Sequence, residues 1–117
     1  MAALTCKPTV RFKCFTPALL RILRAVYVVA QSFELSEIVI TSANDSTHAV
    51  TSRHYTDEAL DLRTKSFPSE AAKVRFAAAL RAELGPAFTV LYENPKTVGQ
   101  HLHVQPPKGT TYTGPAA

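Results

Sequence analysis

A chain of 117 residues, 46% of them hydrophobic and 19% charged, is long enough for one domain with a modest core and too apolar to be disordered throughout. Its formal net charge of +4 suits an anionic surface such as a bacterial wall or nucleic acid but demands neither, and no run of Lys and Arg interleaved with aromatics marks a nucleic-acid interface. The apolar stretch 18–30 is interrupted by Arg21 and Arg24 and is too short for a membrane span; no cleavage site follows it, so neither a signal peptide nor a membrane anchor is expected.

The run 9–15, T-V-R-F-K-C-F, alternates Val10, Phe12 and Cys14 with Arg11 and Lys13, as an edge strand would. Cys6 and Cys14 make no disulfide framework and lack C-x-x-C spacing; a bridge between them is possible, and two partly buried thiols are the expected state. Thr16-Pro17 reads as a helix start, with Thr capping and Pro at the first helical position. That helix is expected to reach Ser32, with Leu19, Ile22, Leu23, Val26, Ala30 and Phe33 on its buried stripe. The run 37–41, E-I-V-I-T, is β-branched and reads as a central strand. Residues 42–52 are polar and turn-rich and read as a long loop. A short strand, 59–62, carries Asp61 among apolar neighbours. Phe67-Pro68 breaks the chain, Ser69 caps a second helix over 70–84, and Gly85-Pro86 ends it. A strand over 88–92, a polar turn over 94–99 and a strand over 101–105 form a hairpin. The domain is assigned to 1–107, with a mobile tail of Gly, Thr and Pro over 108–117.

All four histidines lie in or beside two stretches. The first, 52–63, reads S-R-H-Y-T-D-E-A-L-D-L-R and holds His54 and Asp61, with His48 just upstream; the second, 100–105, reads Q-H-L-H-V-Q and holds His101 and His103. On a strand, residues two apart share a face, so both imidazoles of H-L-H point one way and Leu102 turns to the core. Two nitrogens from His54 and His103 and one oxygen from Asp61 would leave a fourth position open on Zn2+, the pattern of a catalytic rather than a closed structural zinc site. Glu93 and His101, near the last ligand in sequence, are the candidates for the base that takes the proton of the attacking water. Singly, each of these residues has a bland reading: a surface H-x-H, a turn carboxylate, a loop histidine, an exposed strand-end Glu. Their joint spacing favours the site.

These residues resemble a known family. The 52–63 stretch is similar to the S-x-H-x-x-G-x-A-x-D motif of the zinc D-alanyl-D-alanine carboxypeptidases, a group that includes phage endolysins cutting L-alanyl-D-glutamate and the vancomycin-resistance dipeptidases. Q-H-L-H-V-Q resembles their H-x-H motif, and both stretches also resemble the signalling domain of Hedgehog proteins, which shares the fold. The resemblance covers roughly residues 16–105. It implies an α+β domain with a small, mainly antiparallel sheet and two principal helices. It implies zinc ligation by His54, Asp61 and His103, with Glu93 as the base ending the preceding strand, and His101 and His48 lining the site. Ser52 and Ala59 match positions that hold the loop and allow close packing. There are three departures. Asp57 stands where the family has Gly; Asp is among the residues tolerated at φ > 0, so the turn is expected to survive. The Glu and Trp of the dipeptidases' E-x-W-H are absent, with Gln100 three before His103, which leaves the base open between Glu93 and His101. The substrate-holding arginine of S-G-Y-R is missing from S-A-N-D-S-T-H, and Arg53 or Arg63 are the candidates to replace it.

The function implied is zinc-dependent hydrolysis of a peptide bond in bacterial peptidoglycan by a monomer without nucleic-acid or membrane partners. The protein would be cytoplasmic in its producing cell, or phage-associated, and act on the cell wall. The alternative from another class is a zinc-binding domain of the same fold that recognises a partner without hydrolysis. A third reading is a small basic binding module without metal.

Overall fold

The computed structural model describes residues 1–12, 15–33, 35–43 and 59–106. Among these residues seven elements follow in chain order: β1 (Ala3–Cys6), α1 (Pro17–Ala30), β2 (Glu37–Ser42), β3 (Leu60–Arg63), α2 (Glu70–Leu84), β4 (Thr89–Glu93) and β5 (His101–Gln105). The fold is α+β: one five-stranded sheet in the order β1-β2-β3-β5-β4, with both helices contributing to a common core. The expected mainly antiparallel sheet is a mixed one. Three neighbouring pairs run antiparallel, but β1 and β2 are parallel, because α1 crosses between them and returns the chain in its original direction.

The helix boundaries follow from local chemistry. The Thr16 hydroxyl accepts from the Leu19 N–H at 3.1 Å with Pro17 next in line, and the Ser69 hydroxyl accepts from the Ala72 N–H at 3.0 Å, so each cap satisfies a donor that the first turn leaves open. Gly85, at φ 91°, ends α2 where an L side chain would be strained. The α1 helix stops at Ala30, two residues before the expected end, and residues 31–32 turn instead. Its stripe holds, with Leu19, Ile22, Val26 and Ala30 buried and Leu23 and Phe33 partly so.

The edge strand expected over 9–15 is not formed at its described positions. Residues 7–10 make a turn closed by the Val10 N–H on the Lys7 carbonyl at 3.0 Å. Pro8, within that turn, has no N–H for a ladder. The edge is supplied by β1, whose short A-L-T-C run carries little periodicity of its own and takes its register from β2. Cys6 ends it and is exposed rather than partly buried; Cys14, and with it the pairing question, lies outside the described residues.

Alternation along the strands divides the sheet into two faces. Ile38, Ile40, Leu60, Leu62, Val90, Leu102 and Val104 meet the helices and are nearly or wholly inaccessible. Phe76 of α2 sits at the centre, its ring 5.1 Å from Phe33 and 5.2 Å from Phe67, both edge-on. Phe76→Ala is therefore expected to cost about 3–5 kcal/mol, read as a lower urea midpoint by circular dichroism; a shift worth well under 1 kcal/mol would mean that this core is not formed as described. The other face carries Asp61, Arg63, Leu91, Glu93, His101, His103 and Gln105, and the candidate site is built there.

No helix among the described residues is long and apolar enough to cross a membrane.

Candidate metal centre

The register of β5 between β3 and β4 assembles the site. Asp61 lies opposite His103, and Arg63 opposite His101, across the β3–β5 pair. Glu93 lies opposite His101 and Leu91 opposite His103 across the β4–β5 pair. Residues 42 positions apart in the chain are thus fixed as direct cross-strand neighbours. A bulge in β2 between Ile40 and Ser42 puts one extra residue against β3 beside Asp61, and the Thr41 hydroxyl meets the Asp61 carbonyl at 3.4 Å. Such bulges bend a strand and re-aim side chains near sites.

Nδ1 of His103 donates to Oδ1 of Asp61 at 2.9 Å, and its Nε2 lies 2.6 Å from the Gln105 amide oxygen. Burial draws this imidazole down, but the hydrogen bonds to Asp61 and Gln105 and the negative charges of Asp61 and Glu93 outweigh it, so its pKa is raised above the ordinary histidine value. Next to it, Nδ1 of His101 donates to the Gly99 carbonyl at 2.9 Å and Nε2 faces Oε1 of Glu93 at 2.8 Å. A carbonyl can only accept, so the Nδ1 proton is committed to Gly99 and the Nε2–Glu93 hydrogen bond contains a second proton, held by one partner or the other. The His101 Nε2 is 3.9 Å from Asp61 Oδ1, so the two His–carboxylate pairs adjoin.

The donor atoms suit zinc. Two ligands of one tetrahedral zinc, each about 2.0–2.1 Å from the ion, stand roughly 3.3 Å apart, close to the 2.9 Å between Asp61 Oδ1 and His103 Nδ1. A carboxylate oxygen and an imidazole nitrogen are ordinary zinc donors, and Gln105 supplies the outer partner that orients such an imidazole. Among the described residues no group of three His, Cys, Asp or Glu is gathered tightly enough to hold a metal ion; the part of the expected set that is described is the pair Asp61 and His103. His54, His48, Ser52 and Arg53, together with Asp57, lie outside the described residues.

Of the residues singled out in the sequence, Asp61, His101, His103 and Glu93 are brought together on one face. Glu93 is the last residue of β4 itself, one beyond the expected strand end. Two contributors were missed. Gln105 shares a face with His103 through the same two-residue period, so Q-H-L-H-V-Q did contain its signal. Gln100 had none: its amide oxygen accepts from Thr64 Oγ1 at 2.9 Å and from the buried Lys73 ammonium on the helix side. Lys73 also donates to Glu70 at 2.7 Å, and Tyr92 donates to the same carboxylate at 2.8 Å. The hydrogen bond from Lys73, then that from Tyr92, holds the Glu70 carboxyl below its usual range, and the bond to Glu70 raises Lys73 against its desolvation. This cluster pins the residue before His101 to α2 and so fixes where β5 begins.

Compared with known families and with curated proteins, the chain matches no family model and no curated sequence.

Proposed function

We propose that the chain is a zinc-dependent peptidase acting on peptidoglycan peptides, with Asp61, His103 and His54 as the metal ligands and the Glu93–His101 pair as its proton-handling group. The observation that carries this reading is the adjacency of two His–carboxylate pairs on one sheet face; in this reading one pair binds a metal and the other moves a proton. The Hedgehog/DD-peptidase type of fold belongs to the same proposal; the helix-strand order and the H-x-H strand beside the Asp61 strand support it.

When bound, zinc supplies Lewis-acid polarisation of the scissile carbonyl and makes a water acidic enough to attack near neutral pH. The chain's own residues do the rest. Asp61 and His103 would hold the metal over the β3–β5 pair, and Gln105 holds the His103 ring in orientation. Glu93, with its side chain 43% exposed, reaches the open side, where it can take the proton of the attacking water and hand it to the leaving amine. As it does so, His101 can take on its Nε2 the proton already held in the 2.8 Å contact, so that the pair carries the charge together. The second nitrogen of His101, tied to Gly99, keeps the ring from turning away.

The test is digestion of purified peptidoglycan by the zinc-loaded protein, with released fragments weighed by mass spectrometry. Fragments that differ from the undigested wall by one hydrolysed peptide bond, and that vanish when a chelator is added, are the expected result. A protein that takes up zinc and releases nothing favours the partner-recognition domain; one that takes up no zinc favours the metal-free basic module.

A further inference from the structure

The turn from β4 to β5 meets the Glu93–His101 pair at one backbone atom, the Gly99 carbonyl oxygen, which accepts from Nδ1 of His101 at 2.9 Å. What aims that carbonyl lies outside the pair. The Gln100 N–H donates to the Thr97 carbonyl at 3.2 Å. A trans peptide unit is a rigid plane whose N–H and C=O point in opposite directions, so holding the Gln100 N–H on Thr97 turns the Gly99 carbonyl the other way, toward His101. The Gly99 N–H is held too, on the Thr97 hydroxyl at 3.2 Å, and that hydroxyl donates to the Asn94 carbonyl at 2.7 Å. Both peptide units of Gly99 are thereby fixed.

The connection runs over 94–100, longer than the two residues that suffice to join antiparallel strands. Asn94 and Lys96 sit in it at positive φ, 49° and 64°; asparagine tolerates that region, and lysine stays there only where its surroundings impose it. The Gln100 side chain is the imposing contact. Its Nε2 donates to the Thr97 carbonyl at 2.9 Å, a second bond onto the same acceptor. Its Oε1 accepts from the Thr64 hydroxyl at 2.9 Å and from the Lys73 ammonium, both buried. One side chain thus ties an exposed turn to the helix side of the sheet. A histidine ring rotates broadly about its outer torsion, and without the Gly99 carbonyl it could turn Nε2 away from Glu93.

We propose that Gln100 and Thr97 are positioning residues for His101: they aim the Gly99 carbonyl at Nδ1, which leaves Nε2 as the nitrogen that meets Glu93. The proposal rests on the reading of the Glu93–His101 pair as the proton-handling group and names what keeps that pair in register.

The experiment records ring-nitrogen NMR spectra of the full-length, nitrogen-15-histidine-labelled protein with equimolar zinc at a single pH, and steady-state hydrolysis of wall peptides by the same samples; His101→Gln identifies the His101 signals. In the wild type the Nδ1 proton is expected to exchange with water slowly enough to give a bonded N–H correlation. Thr97→Val, nearly isosteric and at an exposed position, removes only the hydroxyl. That exchange should quicken by about 2–10-fold, the worth of one hydrogen bond between neutral groups, and kcat should fall by a similar factor with KM little changed. Thr97→Ser keeps the hydroxyl and should behave as the wild type in both measurements. Gln100→Met, with folding checked by circular dichroism, removes both ends of the clamp and should exceed Thr97→Val in each. A wild type without the slow Nδ1 proton, or Thr97→Val with unchanged exchange, overturns the positioning role. So does quickened exchange with kcat unchanged in a protein that cleaves, because the reaction would not then depend on the hold. Exchange is read apart from turnover: the expected exchange pattern in a protein whose wild type cleaves nothing would sink the peptidase reading and leave the hold on His101 standing. Wild-type cleavage with exchange indifferent to Thr97→Val would do the reverse.

Discussion

Asp61→Ala and His103→Ala are each expected to bring the chain from about one bound zinc to none, measured by metal analysis of dialysed protein. Changing an outer-shell partner of a zinc ligand typically costs 10–100-fold in affinity, so removing a ligand should cost more, and Gln105→Ala provides the internal comparison at that lower level. His54→Ala should behave as the two described ligands do. His101→Ala and His48→Ala should keep their zinc and lose activity. Within the β5 pair the choice of ligand rests on geometry: His103 is the cross-strand partner of Asp61 at 2.9 Å, whereas the nearest His101 nitrogen stands 3.9 Å from the same oxygen and is engaged by Glu93. Zinc lost with His101→Ala and retained with His103→Ala would reverse the assignment.

The same site fixes the direction of the pH dependence. The His103 pKa is raised by its hydrogen bonds to Asp61 and Gln105 and by the nearby carboxylates, net of burial. A metal needs an unprotonated nitrogen, so the proton competes with zinc up to a higher pH than at an ordinary histidine, and affinity should fall as pH drops through that raised value. In the metal-free protein the sign is opposite. A folded-state pKa above the unfolded one contributes stability that is fully present below about 6.5, the unperturbed value, and is lost as pH rises through the raised folded value. Zinc-free and zinc-loaded protein should therefore drift apart in thermal midpoint as pH rises across that window.

What could be read in the sequence depended on whether the signal was local. The H-x-H strand needed only the two-residue period, and Leu102 is wholly buried between two partly exposed histidines as that period requires. Both helices were legible because Thr16-Pro17 and Ser69 are caps whose chemistry acts within one turn. The parallel β1 was not legible, since four residues with both ends exposed have no pattern until β2 gives them a partner; the alternating 9–15 run looked more like a strand and lost to the turn at Pro8. Nor was it legible that β5 inserts between β3 and β4, although that single topological fact places Asp61 and Glu93 on either side of the histidines. The contact of Gln100 with Lys73, 27 positions apart, is likewise a product of the tertiary fold.

Glu93→Gln is expected to fold, to keep its zinc, and to lose hydrolysis of wall peptides by about 10²–10⁴, the usual worth of a positioned base. The amide keeps the carboxylate's size, and its oxygen can still accept from His101 Nε2 across the 2.8 Å contact, so the ring should stay where Gly99 holds it. What the amide cannot do is take a proton. Steady-state kinetics should accordingly show the loss in kcat, with KM little changed. The coupled geometry makes a sharper claim about the pair. His101 Nδ1 is committed to Gly99, so the only mobile proton is the one between Nε2 and Glu93, and the two residues handle it as one unit. Replacing both should then cost little more than the worse single change, the non-additivity expected of groups that share one task. Losses that multiply would mean two separate roles, with His101 holding substrate and Glu93 acting alone. Undiminished hydrolysis by Glu93→Gln would pass the role of base to His101.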